Sequence, residues 1–70
     1  MPFYYFTDKV DEHYRNEVHA EDCSYLPSFS NRTMIGLADS CKQAIQRAES
    51  EHPSKVFDGC FWCSYACHKG

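Results

Sequence analysis

Two short-range pairs constrain this chain more than any other feature: His19-Ala-Glu-Asp-Cys23 and Cys60-Phe-Trp-Cys63. A two-residue gap lets both thiolates of the second pair turn toward one ion at about 2.3 Å each, and the first pair offers a thiolate and an imidazole. Two such pairs joined through a folded segment form the usual layout of a closed tetrahedral zinc site. The constraint matters because the chain has only 70 residues. A domain of that size buries about 60% of its unfolded surface, and its core alone supplies roughly 3–5 kcal/mol, so a staple is expected. The expected ligands are His19, Cys23, Cys60 and Cys63, around one Zn²⁺.

The five cysteines, Cys23, Cys41, Cys60, Cys63 and Cys67, are odd in number. No charged-then-apolar leader opens the sequence, and the expected compartment is the cytosol, where thiols stay reduced. A disulfide scaffold is therefore set aside in favour of metal binding. Cys41 is expected to pack as a small hydrophobe, while Cys67 and His68 compete for the fourth ligand position. Cys60, Cys63 and Cys67 fall at i, i+3 and i+7, so on a helix they share a face, and a site using Cys67 in place of His19 stays open. His13 and His52 are expected at the surface.

Phe3-Tyr4-Tyr5-Phe6-Thr7 reads as a strand, being aromatic and β-prone. Asp8 to Asn16 reads as a turn or hairpin arm, and the alternation of Tyr14, Asn16 and Val18 suggests a second short strand. The run Arg32–Leu37 reads as a buried strand, with Gly36 marking its end or a bulge. Ser40 is an N-cap, and Gln43 completes an S-x-x-Q capping box. Cys41, Ala44, Ile45 and Ala48 then form one apolar stripe, and Pro53 stops the helix, which is expected over about 40–51. Asp58-Gly59 reads as a turn delivering Cys60, with a knuckle or short helix after it. The fold class is α+β: a single small domain over 1–70, a short antiparallel sheet and one main helix.

Charge and composition exclude several classes. Seven Lys and Arg against ten Asp and Glu leave a net charge of −3, which disfavours a generic phosphate binder. There is no apolar run long enough for a membrane span. Hydrophobic residues make up 43%, too many for a disordered chain. The eleven aromatics, lacking interleaved basic residues, are assigned to the core and to shielding the ligands rather than to base stacking.

The run His19-xxx-Cys23, an apolar strand near Met34-Ile35, a helix through Cys41–Glu51, and Asp58-Gly59-Cys60-xx-Cys63 resembles the Ada-type metal-binding domain. That module opens a bacterial DNA-repair methyltransferase and is also found appended to nucleases. The resemblance spans roughly residues 18–63 and implies the same four ligands. It does not carry methyl transfer, because His19 stands where that family's acceptor cysteine would. Four protein ligands leave no position for water, so the chain is expected not to be an enzyme but a protein-interaction or accessory module with an unknown protein partner. Two alternatives remain: a thiol-redox protein using Cys60 and Cys63, and an Ada-like nucleic-acid-binding zinc module.

Overall fold

The computed structural model describes residues 2–69. Four strands, β1 (Phe3–Val10), β2 (Asn16–Ala20), β3 (Arg32–Leu37) and β4 (Phe57–Gly59), form one sheet in the order β3-β1-β2-β4. Among the described residues one α-helix, α1 (Cys41–Glu51), packs across them, and 3-10 turns occupy Phe29–Asn31 and Tyr65–Cys67. The fold is α+β, as the sequence implies, with one difference. β1 pairs antiparallel with β2 and β3, but β4 runs parallel to β2, so the sheet is mixed.

Alternation along β1 decides its two faces. Tyr4 and Phe6 are buried, while Phe3, Tyr5 and Thr7 are half-buried on the opposite side. Register places Tyr4 against Ala20 and Phe6 against Val18, so the buried face continues onto β2. Phe57 extends it to β4, and Phe6 meets the Phe57 ring edge-on at 5.1 Å between centroids. The helix closes this face with Cys41, Ala44 and Ala48, the stripe read from the sequence, and Ile45 packs at its margin. Alanines there let the helix axis come close to the aromatic strands.

β3 lies at the sheet edge with Met34 and Leu37 exposed, so it is not the buried strand expected, but it carries the expected bulge. Tyr4 pairs with Gly36 but Tyr5 with Met34, so Ile35 is the extra residue and turns into the core. Gly36 has φ +121°, a conformation L side chains rarely adopt. At the helix start, the Ser40 hydroxyl accepts from Gln43 N–H, as a capping box requires. The Gln43 side chain instead accepts from Asp39 N–H, one residue earlier than the box predicts. The helix ends at Glu51, and His52 is its C-cap, immediately before Pro53. His52 is half-buried rather than exposed, its ring edge-on to Phe6 at 5.3 Å.

Asp58-Gly59, read from the sequence as a turn, is instead the end of β4. Pairing with β2 and burial of all three residues make it a strand. Asp58 is 2% exposed and lies 3.6 Å from the Arg15 guanidinium. Its carboxylate also accepts from Gly59 N–H and Lys69 N–H. The C-terminal residues thereby fasten onto β4. No helix among the described residues is long and apolar enough to cross a membrane.

Candidate metal centre

The parallel pairing of β2 and β4 builds the centre. Parallel strands end on the same side, so the segments leaving Ala20 and Gly59 emerge next to each other. Cys60 N–H donates to Val18 C=O, carrying the ladder one residue beyond β4. A turn closed by Cys23 N–H on Ala20 C=O brings Cys23 back beside the end of β2. A second turn, closed by Ser64 N–H on Cys60 C=O, does the same for Cys63. His19 needs no loop: it lies on β2, opposite Tyr5 and on the sheet face away from Val18.

The four ligand atoms all lie within 4.8 Å of one another. Cys23 Sγ is 3.9 Å from Cys60 Sγ, and Cys63 Sγ is 3.9 Å from His19 Nδ1. A regular tetrahedron with metal–sulfur bonds of about 2.3 Å has edges of about 3.8 Å, so these separations already suit one shared ion. His19, Cys23, Cys60 and Cys63 are thus brought together as the sequence implies, and the arrangement can hold a metal ion.

The surroundings fit that chemistry. Burial holds the His19 imidazole pKa below its ordinary value, keeping the ring neutral as a ligand must be. Its Nε2 lies 3.6 Å from the Glu17 carboxylate, an electrostatic contact beyond hydrogen-bond distance, on the side of the ring away from Cys63. Burial also raises the Cys60 and Cys63 thiols, so without a cation both favour the neutral form. Backbone dipoles oppose that effect. Trp62 N–H donates to Cys60 Sγ and Ala20 N–H to Cys63 Sγ, each at 3.4 Å. These donors aim positive charge at sulfurs that would carry negative charge once an ion displaces their protons.

The competitors fall elsewhere. Cys67 forms a disulfide with Cys41, joining the first turn of α1 to the C-terminal 3-10 turn across 6.3 Å between Cα atoms. This corrects the expectation of a free Cys41 and removes Cys67 from the ligand set. Cys41 is buried as expected, but the apolar stripe faces the C-terminal segment and therefore a second sulfur. His68 turns its Nδ1 to Gly59 C=O at 3.0 Å and lies 3.7 Å from Asp58, while His13 is exposed. Sequence reasoning missed Glu17 and the disulfide. Glu17 stands two residues before His19 on a strand, so alternation puts both on one face. Once three cysteines are assigned to the ion, the remaining pair is even.

The aromatics also depart from expectation. Tyr4, Phe6 and Phe57 are buried, but Tyr25, Phe61, Trp62 and Tyr65 stand 45–68% exposed around the knuckles. A scan of family models, a search of curated proteins and a search of solved structures each find no match to this chain.

Proposed function

We propose that this chain is a small zinc module in which a closed HisCys₃ site holds two loops in a fixed arrangement for protein interaction. The observation that carries the reading is the convergence of four ligand atoms, from two knuckles far apart in sequence, within 4.8 Å. Three thiolates and one imidazole suit a borderline-soft ion with tetrahedral preference, which is Zn²⁺. Four protein ligands complete the coordination shell, so the ion's role is structural. Binding energies of ~10–16 kcal/mol for such sites exceed what a core of this size supplies. The Cys41–Cys67 bond is a local staple rather than a scaffold, and because a reducing cytosol would open it, it weighs against the cytosolic expectation.

The order HxxxC, strand, helix, CxxC supports keeping the Ada-type resemblance as a reading of the site's architecture. The net charge of −3 weighs against phosphate attraction, and so against the nucleic-acid alternative. The redox alternative is weakened by the thiols themselves. A redox-active CxxC presents an accessible, low-pKa sulfur, whereas Cys60 is 2% exposed and burial raises its pKa.

Elemental analysis of protein prepared without chelator tests the proposal and should return one zinc per chain. Folded, metal-free protein with Cys23, Cys60 and Cys63 all open to alkylation would refute it.

A further inference from the structure

Six aromatic side chains are exposed, and four of them, Tyr25, Phe61, Trp62 and Tyr65, are gathered at one place. Tyr25 follows Cys23 by two residues, Phe61 and Trp62 lie between Cys60 and Cys63, and Tyr65 follows Cys63 by two. Their rings touch in series. Tyr25 stacks on Trp62 at 5.3 Å and 20°, Phe61 meets Trp62 edge-on at 4.9 Å, and Phe61 meets Tyr65 edge-on at 5.2 Å. Phe61 also packs against the His68 ring. Exposed large aromatics in mutual contact, rooted on both metal knuckles, form a rigid ridge rather than a set of loose side chains. Such a patch marks an interaction site, and preorganised rings lower the entropy lost on binding.

Beside the ridge lies a cleft of about 350 Å³ lined by Asp22, Cys23, Ser24, Trp62 and Cys63. Its charge is one-sided. Asp22 supplies a carboxylate, and two of the thiolates that leave a zinc-loaded centre with a formal charge of −1 form its walls. Glu21 is exposed next to it in sequence, and no basic residue lines the cleft. Trp62 remains 64% exposed despite its contact with Tyr25. An indole beside a carboxylate in a negative field selects a cation. Among side-chain cations, a planar guanidinium both stacks on an aromatic ring and forks onto a carboxylate, which an ammonium does not.

We infer that the Asp22–Trp62 cleft is a socket for an arginine side chain of a partner peptide, with the adjoining ridge of Tyr25, Phe61 and Tyr65 covering apolar residues that flank that arginine. The inference rests on the zinc reading for part of the negative field and for the rigidity of the knuckles. A nucleic acid is disfavoured because its phosphates would meet Asp22, Glu21 and the thiolate-bearing centre.

The test uses the full chain, isotope-labelled for NMR, with its zinc content measured first. The probes are an acetylated, amidated Phe-Arg-Gly peptide and its citrulline counterpart, which keeps the shape and loses the charge. The arginine peptide should give saturable shifts at the Trp62 indole N–H and at the amides of Asp22 and Ser24. The citrulline peptide should bind roughly tenfold more weakly, as should the arginine peptide to Asp22→Asn, because each change removes one side of a charge-assisted contact. Glu49→Gln, on α1 and outside the cleft lining, should bind like the parent. Equal affinity for the two peptides, shifts mapping away from the cleft, or no saturable shift at millimolar peptide would overturn the socket. In zinc-loaded protein those results leave the metal reading intact. A metal-free chain that still prefers arginine to citrulline would keep the socket and sink the zinc site, and a metal-free chain without that preference would sink both.

Discussion

Gly59→Ala is the smallest change that should damage both fold and metal centre. A Cβ on Gly59 would lie 2.5 Å from Ser64 carbonyl oxygen, 2.7 Å from Cys67 Cβ and 2.8 Å from Cys67 carbonyl carbon. Ordinary contact begins near 3.4 Å, so the Ser64–Cys67 segment must retreat by about 0.6–0.9 Å. It has little freedom to do so: Ser64 N–H is bonded to Cys60, and Cys67 is bonded covalently to Cys41. Overpacking of this kind costs about 1–3 kcal/mol, and three close contacts with main chain or its first carbon place Gly59→Ala at the upper end. For a domain this small, about 3 kcal/mol lowers Tm by about 12–24 °C. The displaced segment begins one residue after Cys63, and metal–ligand distances tolerate only about 0.2 Å, so zinc affinity should fall as well. Thermal unfolding of the zinc-loaded variant, paired with a chelator competition, reads both effects. A variant that melts with the parent and holds its metal equally well would show that the C-terminal segment is not packed against β4 as described.

Cys23→Ser, Cys60→Ser and Cys63→Ser should each release zinc and lose tertiary structure, as should chelator treatment of the parent, followed by near-UV circular dichroism and metal analysis. His19→Ala should weaken zinc binding strongly, and retention of full affinity in a chelator titration would remove it from the ligand set. The double change Cys41→Ala, Cys67→Ala should keep zinc while losing about 3.5 kcal/mol in urea unfolding, the loop-entropy value for a separation of 26 residues. A free, packed Cys41 would lose only about 1–2 kcal/mol as a small cavity. The Asp11 carboxylate accepts from Arg15 N–H and His13 N–H, which hold its pKa below the usual value for aspartate. Its stabilisation is therefore complete above about pH 4 and is lost as pH falls through the depressed folded value. The urea stability difference between the parent and Asp11→Ala should shrink in that acid range, and a difference independent of pH would refute the assignment.

Legibility followed how local the cause was. β1, β3 and α1 were visible because aromatic β-formers, the Gly36 bulge and the Ser40 cap act within a few residues. The convergence of His19, Cys23, Cys60 and Cys63 was visible because the spacing suited to metal coordination shows in sequence. β4 was not, since three residues ending in Asp-Gly carry turn chemistry, and only the long-range pairing with β2 makes them a strand. The same absence of local signal hid the parallel orientation. Cys41 read correctly as a core residue from helical periodicity, yet periodicity does not say what lies across the interface. The aromatics were assigned inward from average burial preference. Tyr25, Phe61, Trp62 and Tyr65 instead sit on the knuckle segments, where they pack on one another and stay exposed.

The parallel step from β2 to β4 also governs the order in which the molecule assembles. Antiparallel β1 and β2 meet through a short turn, but joining β2 to β4 must bring Cys23 to Cys60 across 37 residues. Closing such a loop costs about 3.2 kcal/mol in chain entropy. The disulfide offers a detour of about 25 residues through Cys41 and Cys67, which lowers that cost by only about 0.3 kcal/mol. The staple therefore holds the finished fold without speeding its closure. On the proposed one-ion reading, an unfolded chain would offer metal two separate half-sites. An ion on each would leave one to be shed before the strands join, so refolding should slow as metal is raised above one equivalent per chain.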